Sequence, residues 1–106
     1  MTLPDLINYF WEDNSYEDFC KTQHIDCDAD EIEIYMPKPF GLNSKLEFFK
    51  VEATAGKHQY DYNGSEFYSL FNFYYFLNAV KEAEKNNAMT DIDLSLRLLD
   101  YAESDM

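Results

Sequence analysis

The residues of this chain with the clearest chemical potential are carboxylates that crowd one short segment. Five acids lie between residues 26 and 33: Asp26, Asp28, Asp30, Glu31 and Glu33. Carboxylates at alternate positions are typical ligands of hard cations, but a calcium-binding loop also requires Gly at its sixth position and Glu at its twelfth. Counted from Asp26, those positions hold Glu31 and Pro37. We therefore predict no metal site here and interpret the segment as an acidic surface.

Cysteine, histidine and glycine residues offer little other chemistry. Cys20, His24 and Cys27 are close in sequence, but a structural zinc site needs a fourth ligand at a recognised spacing, and none follows. His58 has carboxylates near it, as an acid–base pair would, yet no nucleophile motif or glycine-rich phosphate loop accompanies it. We therefore predict a protein that is not an enzyme, binds no cofactor or metal, and keeps its two cysteines as thiols.

The net charge of −13 is the strongest clue to function. Residues 1–36 contain ten acids and one lysine, residues 37–85 contain six acids and six lysines, and residues 86–106 contain five acids and one arginine. Such a field repels nucleic acid, attracts basic proteins and speeds their association at low salt. The charge therefore disfavours direct nucleic-acid binding and predicts a basic protein partner, although acidity that only aids solubility is an alternative.

We predict that the acidic segments form the partner-binding surface. The primary candidates are Asp26, Asp28, Asp30, Glu31, Glu33 and Tyr35. The secondary candidates, from the predicted N-terminal helices, are Glu12, Asp13, Glu17 and Asp18. Tyr68 and Tyr75 are weaker aromatic candidates, because both fall on the less apolar side of a predicted helix and tyrosine is frequent at interface hot spots.

Three helices are predicted from capping signals. Thr2, with Asp5 three residues on, predicts a helix start, and apolar residues then recur at three- and four-residue spacing to Trp11. Segment 15–18 repeats the pattern for a short second helix, and segment 90–93 repeats it for a last helix that ends near residue 103. Apolar residues nearly encircle the last helix. We expect it either to be wedged between two elements or to leave one apolar stripe for a partner.

Three strands are predicted between these helices. Residues 31–36 alternate, which places Ile32, Ile34 and Met36 on one face and Tyr35 with the acids on the other. Residues 46–54 are apolar on both faces and predict a central strand, and residues 57–62 predict a third strand after a tight turn. Short loops join the three segments, so we expect an antiparallel meander.

The aromatic stretch 65–80 allows two interpretations. Apolar residues from Phe67 to Leu77 recur at helical spacing, and Ser65 is a suitable N-cap, which together predict a long core helix. The dipeptide Asn63-Gly64, however, is a strong signal for a two-residue hairpin, which would make residues 66–71 a strand. We favour the helix and keep the hairpin as the alternative.

Together these features predict one α+β domain over residues 1–106, in which N-terminal helices, a three-stranded antiparallel meander, a long aromatic helix and a C-terminal helix pack together. No secretory signal or membrane span is evident, so we expect a cytoplasmic protein. The favoured functional hypothesis is an acidic inhibitor, a bacterial immunity protein that masks the basic active site of a nuclease toxin. The alternatives are a phage-encoded nucleic-acid mimic or anti-defence inhibitor, such as an anti-CRISPR, and a homodimer with a structural or small-ligand role.

Overall fold

The computed structural model describes residues 1–24, 32–55, 57–85 and 89–104. Over these ranges the elements are α1 Leu3–Trp11, α2 Tyr16–Gln23, β1 Ile32–Met36, β2 Glu47–Lys50, α3 Val51–Thr54, β3 Gln59–Tyr62, β4 Ser65–Asn72, α4 Phe73–Glu84 and α5 Asp91–Ser104. The strands form one antiparallel sheet in the order β2-β1-β4-β3. The α+β class is confirmed, whereas the three-stranded meander is wrong, because β3 pairs with a fourth strand and not with β2.

The helix starts predicted at Thr2, Ser15 and Thr90 all form, each with a reciprocal pair of capping bonds. Thr2 Oγ1 accepts from the Asp5 amide at 3.4 Å, and the Asp5 carboxylate accepts from the Thr2 amide at 3.1 Å. The same pair of bonds, at 3.1 and 3.2 Å, begins α2 and α5 through Ser15 with Asp18 and Thr90 with Asp93. Each pair satisfies amides that the first helical turn leaves without partners. The bonds to Thr2 lower the pKa of the Asp5 carboxyl, because they stabilise its charged form.

The helices pack on one face of the sheet, here called the helical face, and form the main core there. Phe73, at the start of α4, is fully buried at the centre of this core. Five other rings lie with their centroids 4.9 to 5.9 Å from it: Phe10, Tyr16, Phe19, Phe48 and Phe76. Full burial of a large apolar side chain stabilises a fold by about 1.5–3 kcal/mol. This ring cluster therefore holds α1, α2 and α4 against β2.

A hairpin at Asn63-Gly64 joins β3 to β4. Tyr62 and Ser65 pair directly across it. Asn63 has φ 52° and Gly64 has φ 80°, and positive φ at both central positions is the type I′ turn that Asn-Gly favours. The hairpin alternative is confirmed, and the predicted helix start at Ser65 is wrong. The helix begins instead after Asn72, whose side chain accepts from the third helical amide at 2.7 Å.

A β-bulge explains why β4 resembles a helix in sequence. The register of β1 against β4 shifts between Ile34 and Tyr35, so that Leu70 is an extra residue in β4. Leu70 and Phe71 are consequently both part of the main core, although they are adjacent in a strand. Two adjacent apolar residues, followed by a real helix from Phe73, imitate the three- and four-residue spacing of one long helix.

The opposite face of the sheet, here called the concave face, carries a second aromatic cluster. The ring of Phe49 on β2 lies 5.3 Å from Tyr35, 4.9 Å from Tyr60, 5.1 Å from Tyr62 and 6.1 Å from Phe67. Because β2 and β3 are the two edges of the sheet, these contacts require the sheet to curl toward this face. Because of the curl, β2 has aromatic neighbours on both of its faces, as a central strand would. The prediction that it is a central strand is nevertheless wrong, since β2 is a short edge strand that ends where α3 begins.

Candidate partner-binding surface

The candidate surface is built on the connection between α1 and α2, which local hydrogen bonds hold together. The Glu12 amide bonds back into α1 at 3.0 Å, and Asp13 is left-handed with φ 65°. The Asn14 side-chain amide donates to the Tyr9 carbonyl at 2.8 Å, and Ser15 caps α2. Every residue of this connection therefore has a defined conformation, and the carboxylates of Glu12 and Asp13 project from a fixed backbone.

A groove of about 560 Å³ lies between this connection and α4. Two contacts set the distance between its sides: Trp11 Nε1 donates to the Val80 carbonyl at 3.3 Å, and the Tyr16 and Phe73 ring centroids are 4.9 Å apart. The groove is lined by Phe10, Asp13, Asn14, Ser15, Tyr16, Tyr74, Leu77, Asn78, Val80, Lys81 and Glu84. The residues from α4 are mostly three or four positions apart, so one face of that helix lines the groove.

Tyr74 makes this groove aromatic as well as acidic. Its side chain is 54% exposed, more than any other large hydrophobic residue in the part of the chain that the structure describes. Of the described residues that line the groove, Lys81 is the one cation, against Asp13 and Glu84. An exposed ring and carboxylates that line the same groove can both attract a cation, because the ring face and the carboxylates each favour positive charge.

The carboxylates beside the groove are open to a partner. Glu12, Asp13 and Glu17 are exposed, and none of them belongs to an ion pair within the described ranges. Asp18 is also exposed, but its carboxylate accepts the Ser15 amide at 3.2 Å as part of the α2 cap. Three of the four secondary candidates are therefore available for binding, and the fourth holds the helix start.

The two β1 candidates that the structure describes lie on the concave face and not at the groove. Tyr35 is 0% exposed, its hydroxyl donates to the Lys57 carbonyl at 2.6 Å, and burial raises its pKa. The predicted exposure of Tyr35 is therefore wrong, because the curled sheet covers the face that alternation left open, and its part in partner binding stays a prediction. Glu33 is half-buried and accepts from the Ser69 hydroxyl at 2.5 Å. The sheet lies between Glu33 and the helices that form the groove.

Tyr68 and Tyr75 do not share a helix face, so the prediction that both lie on one side of the same helix is wrong. Tyr68 is on β4, where its ring centroid lies 4.5 Å from Lys38 Nζ and its hydroxyl donates to Glu66 at 3.1 Å. This bond to the carboxylate raises the pKa of Tyr68. Tyr75 is in the first turn of α4 and stacks on Tyr101 of α5 with centroids 4.7 Å apart. Burial, and to a smaller extent Tyr101, raises the pKa of Tyr75.

Several predicted residues lie outside the described ranges. They are Asp26, Asp28, Asp30, Glu31 and Cys27. The acidic segment from 26 to 31 therefore stays a prediction from the sequence, and so does the thiol state of the two cysteines. Cys20 itself is buried in α2.

Sequence reasoning missed the α4 residues of the groove. Helical spacing counted from Ser65 assigns Tyr74 to a core stripe, yet the ring is exposed. Counted from the actual N-cap, Asn72, the buried positions are those of Phe73, Phe76 and Val80, and Tyr74 falls on another face. The hairpin dipeptide at 63–64 is the signal that could have moved the helix start and revealed this face.

The last helix leaves part of its apolar surface open. Leu94, Leu98 and Leu99 are buried, whereas Ile92 and Leu96 are 41% and 52% exposed. Ile92 and Leu96 are one turn apart and therefore neighbours on the helix surface. Of the two predicted arrangements, the one in which part of an apolar stripe stays uncovered holds for the described residues.

No protein family, curated protein or solved structure matches this chain. Among the described residues, no group of three or more His, Cys, Asp or Glu side chains is placed to hold a metal ion. The helices in the described ranges lack the length and apolar run that crossing a bilayer requires. Function must therefore be inferred from the surface of the chain itself.

Proposed function

We propose that this protein is an acidic inhibitor that binds a basic protein through the groove and the carboxylates beside it. The observation that carries the proposal is the groove, which is lined by the exposed Tyr74 ring and by the carboxylates of Asp13 and Glu84, neither of which has an ion-pair partner among the described residues. Tight protein interfaces combine such aromatic anchors with surrounding charges that speed association. The hydrogen-bonded connection between α1 and α2 adds support, because a surface that is already ordered loses little conformational entropy on binding.

The partner is a nuclease or nuclease toxin domain, for which this chain is the immunity protein. Enzymes that act on nucleic acids present Lys and Arg side chains to the phosphate backbone. Carboxylates bind the same cations through charge-assisted hydrogen bonds and thereby exclude the substrate. The net charge of −13 supports this mode of action, because it draws the chain toward a basic enzyme while repelling the nucleic acid.

Affinity capture from the source cells, followed by reconstitution with the purified partner, tests this proposal. We expect the chain to retain a basic protein that cleaves nucleic acid, and to inhibit that cleavage at an equimolar ratio. The association rate should fall by about tenfold or more as salt rises from about 0.02 to about 0.5 M. Capture of a neutral or acidic protein, or of a nuclease that stays active in the complex, would contradict the proposal.

Charge reversal locates the binding surface. The double change Glu12→Lys and Glu17→Lys alters two exposed carboxylates that cap no helix, and we expect it to weaken binding by about tenfold or more. The matched control is Asp100→Lys with Glu103→Lys, which makes the same change in net charge on exposed positions of α5. Equal weakening by both pairs would mean that only the total charge matters and that this surface is not the site.

The captured enzyme also distinguishes the two biological settings. A toxin encoded beside this chain indicates immunity, whereas a host defence nuclease indicates a phage anti-defence role. Both settings use the same acidic surface, so the variants above apply to either.

A homodimer is the second candidate, and the exposed Ile92 and Leu96 of α5 favour it. Exposed apolar neighbours on one helix face are often covered by a second subunit. Sedimentation at high protein concentration should then show a dimer that Leu96→Glu dissociates. A monomer at all concentrations would exclude this candidate.

A further inference from the structure

We propose that the groove receives an arginine side chain of the basic partner, with its guanidinium against Tyr74 and beside Asp13. This inference rests on the proposed function and names the chemical group that the groove recognises.

The shape and lining of the groove suit a long side chain with an apolar stem. Phe10, Leu77 and Val80 contribute apolar surface, of which Phe10 and Val80 are buried. Arginine and lysine both lay methylene groups along such surface while their charged ends reach polar groups. The carboxylates of Asp13 and Glu84 provide those polar groups.

Tyr74 favours arginine over lysine. Its ring is 54% exposed, so a face is open to a planar group. A guanidinium stacks on an aromatic face and is more weakly hydrated than an ammonium, so it leaves water at a smaller cost. It also binds a carboxylate through two parallel hydrogen bonds, which Asp13 on its fixed backbone can accept.

Lys81 is positively charged and therefore disfavours binding of a cation in the groove. Removing its charge provides a test in which binding should become stronger, not weaker. Lys81 lines the same groove and contributes a positive charge to it. Replacing it with a neutral residue should strengthen binding of a cation, because a like-charge repulsion is removed. A residue that only supports the fold would not produce this gain.

The probe is a blocked pentapeptide of four glycines with one central arginine, titrated into the isotope-labelled chain and followed by amide chemical shifts. We expect weak binding whose shifts cluster at residues 13–16 and along the face of α4 that lines the groove. The peptide with lysine in place of arginine should bind about three- to fivefold more weakly. The peptide with citrulline, which has the same shape but no charge, should cause no clustered shifts. Equal shifts with citrulline would overturn the inference.

Variants then connect the shifts to named side chains. Tyr74→Ala and Asp13→Asn should each weaken the arginine peptide by about three- to fivefold, and Lys81→Gln should strengthen it by about twofold. Tyr62→Ala is the matched control, because Tyr62 is 42% exposed but lies on the concave face. A loss in Tyr62→Ala equal to that in Tyr74→Ala, or weaker binding in Lys81→Gln, would overturn the inference.

The two proposals fail in distinguishable ways. If the arginine peptide does not bind the groove while a captured nuclease still requires Glu12 and Glu17, the arginine inference is wrong and the proposed function stands. If no basic protein binds the chain and the peptide shifts scatter over all exposed carboxylates, both are wrong.

Discussion

The two aromatic clusters on opposite faces of the sheet differ in both composition and cover. In the ring cluster around Phe73 on the helical face, five of the six rings are phenylalanines, and Phe73 and Phe76 are 0% exposed. On the concave face three of the five rings are tyrosines, and Tyr62 is 42% exposed. A phenylalanine ring has no polar atom to satisfy when helices exclude water, whereas a tyrosine hydroxyl needs a protein partner or solvent. The cover that each face receives therefore decides which aromatic residue suits it.

The same difference predicts unequal contributions to stability. The main core is covered by α1, α2, α4 and α5, whereas the concave cluster is covered mainly by the curl of its own sheet. The predictions below test this comparison, from the largest expected effect to the smallest.

Phe73→Ala should have the largest effect. It removes a fully buried ring that contacts five others, and such truncations cost about 3–5 kcal/mol of unfolding free energy. Because the free energy of unfolding of a small domain is only about 5–15 kcal/mol, the variant should be close to unfolding at room temperature. Urea denaturation followed by circular dichroism measures the loss. A loss below about 2 kcal/mol would show that the helical face is not the main core.

Phe49→Ala should destabilise the chain by about 2 kcal/mol. Phe49 occupies the centre of the concave cluster as Phe73 does in the main core, but it is only half-buried, so less apolar surface returns to water. The same urea titration applies, with Phe49→Leu as a control that retains most of the apolar volume. A loss equal to that of Phe73→Ala would contradict the difference between the two faces.

Gly64→Ala should cost about 1–2 kcal/mol, since an L residue at φ 80° is strained while the space around the added Cβ is open. The cost arises in the hairpin that brings β3 to the concave cluster. Gly41→Ala is the matched control: its Cβ would lie 3.7 Å from Ser44 Oγ, an ordinary contact, and its φ is not left-handed. Thermal denaturation should separate the two variants. Equal stability would mean that the hairpin does not require positive φ at residue 64.

Tyr35→Phe should have the smallest effect, about 1 kcal/mol at neutral pH, through loss of the hydrogen bond to the Lys57 carbonyl. Burial raises the pKa of Tyr35 above its ordinary 10.0, so its contribution is complete below pH 10 and declines as the pH rises through the folded-state pKa. The stability difference between wild type and variant should therefore shrink above pH 10. A difference that stays constant to higher pH would mean that the hydroxyl is not buried in the folded chain.

Much of the candidate site could be predicted, because it depends on local signals. A few neighbouring residues are enough to recognise the acidic pairs at Glu12-Asp13 and Glu17-Asp18 and the cap at Ser15. The second wall of the groove could not be predicted. Tyr74 and Lys81 reach it only because α4 starts at Phe73 and packs beside α1, more than sixty residues earlier in the chain.

The prediction that Tyr35 is exposed is wrong for a related reason. Strict alternation correctly separates the two faces of β1, with Ile32, Ile34 and Met36 in the main core. Alternation carries no information about what lies above the other face. There the curl of the sheet brings Phe49 and Tyr60 over Tyr35 from the two edge strands, β2 and β3.

The sequence by itself determined the α+β class, the three capped helix starts, the first strand and the strongly negative charge. Each of these depends on residue type or on spacing within about one turn of helix or a few residues of strand. Only the tertiary structure decided the strand order, the bulge at Leu70 and the start of α4. Those features depend on which distant surfaces exclude water together, and an apolar residue in the sequence does not name the partner that will cover it.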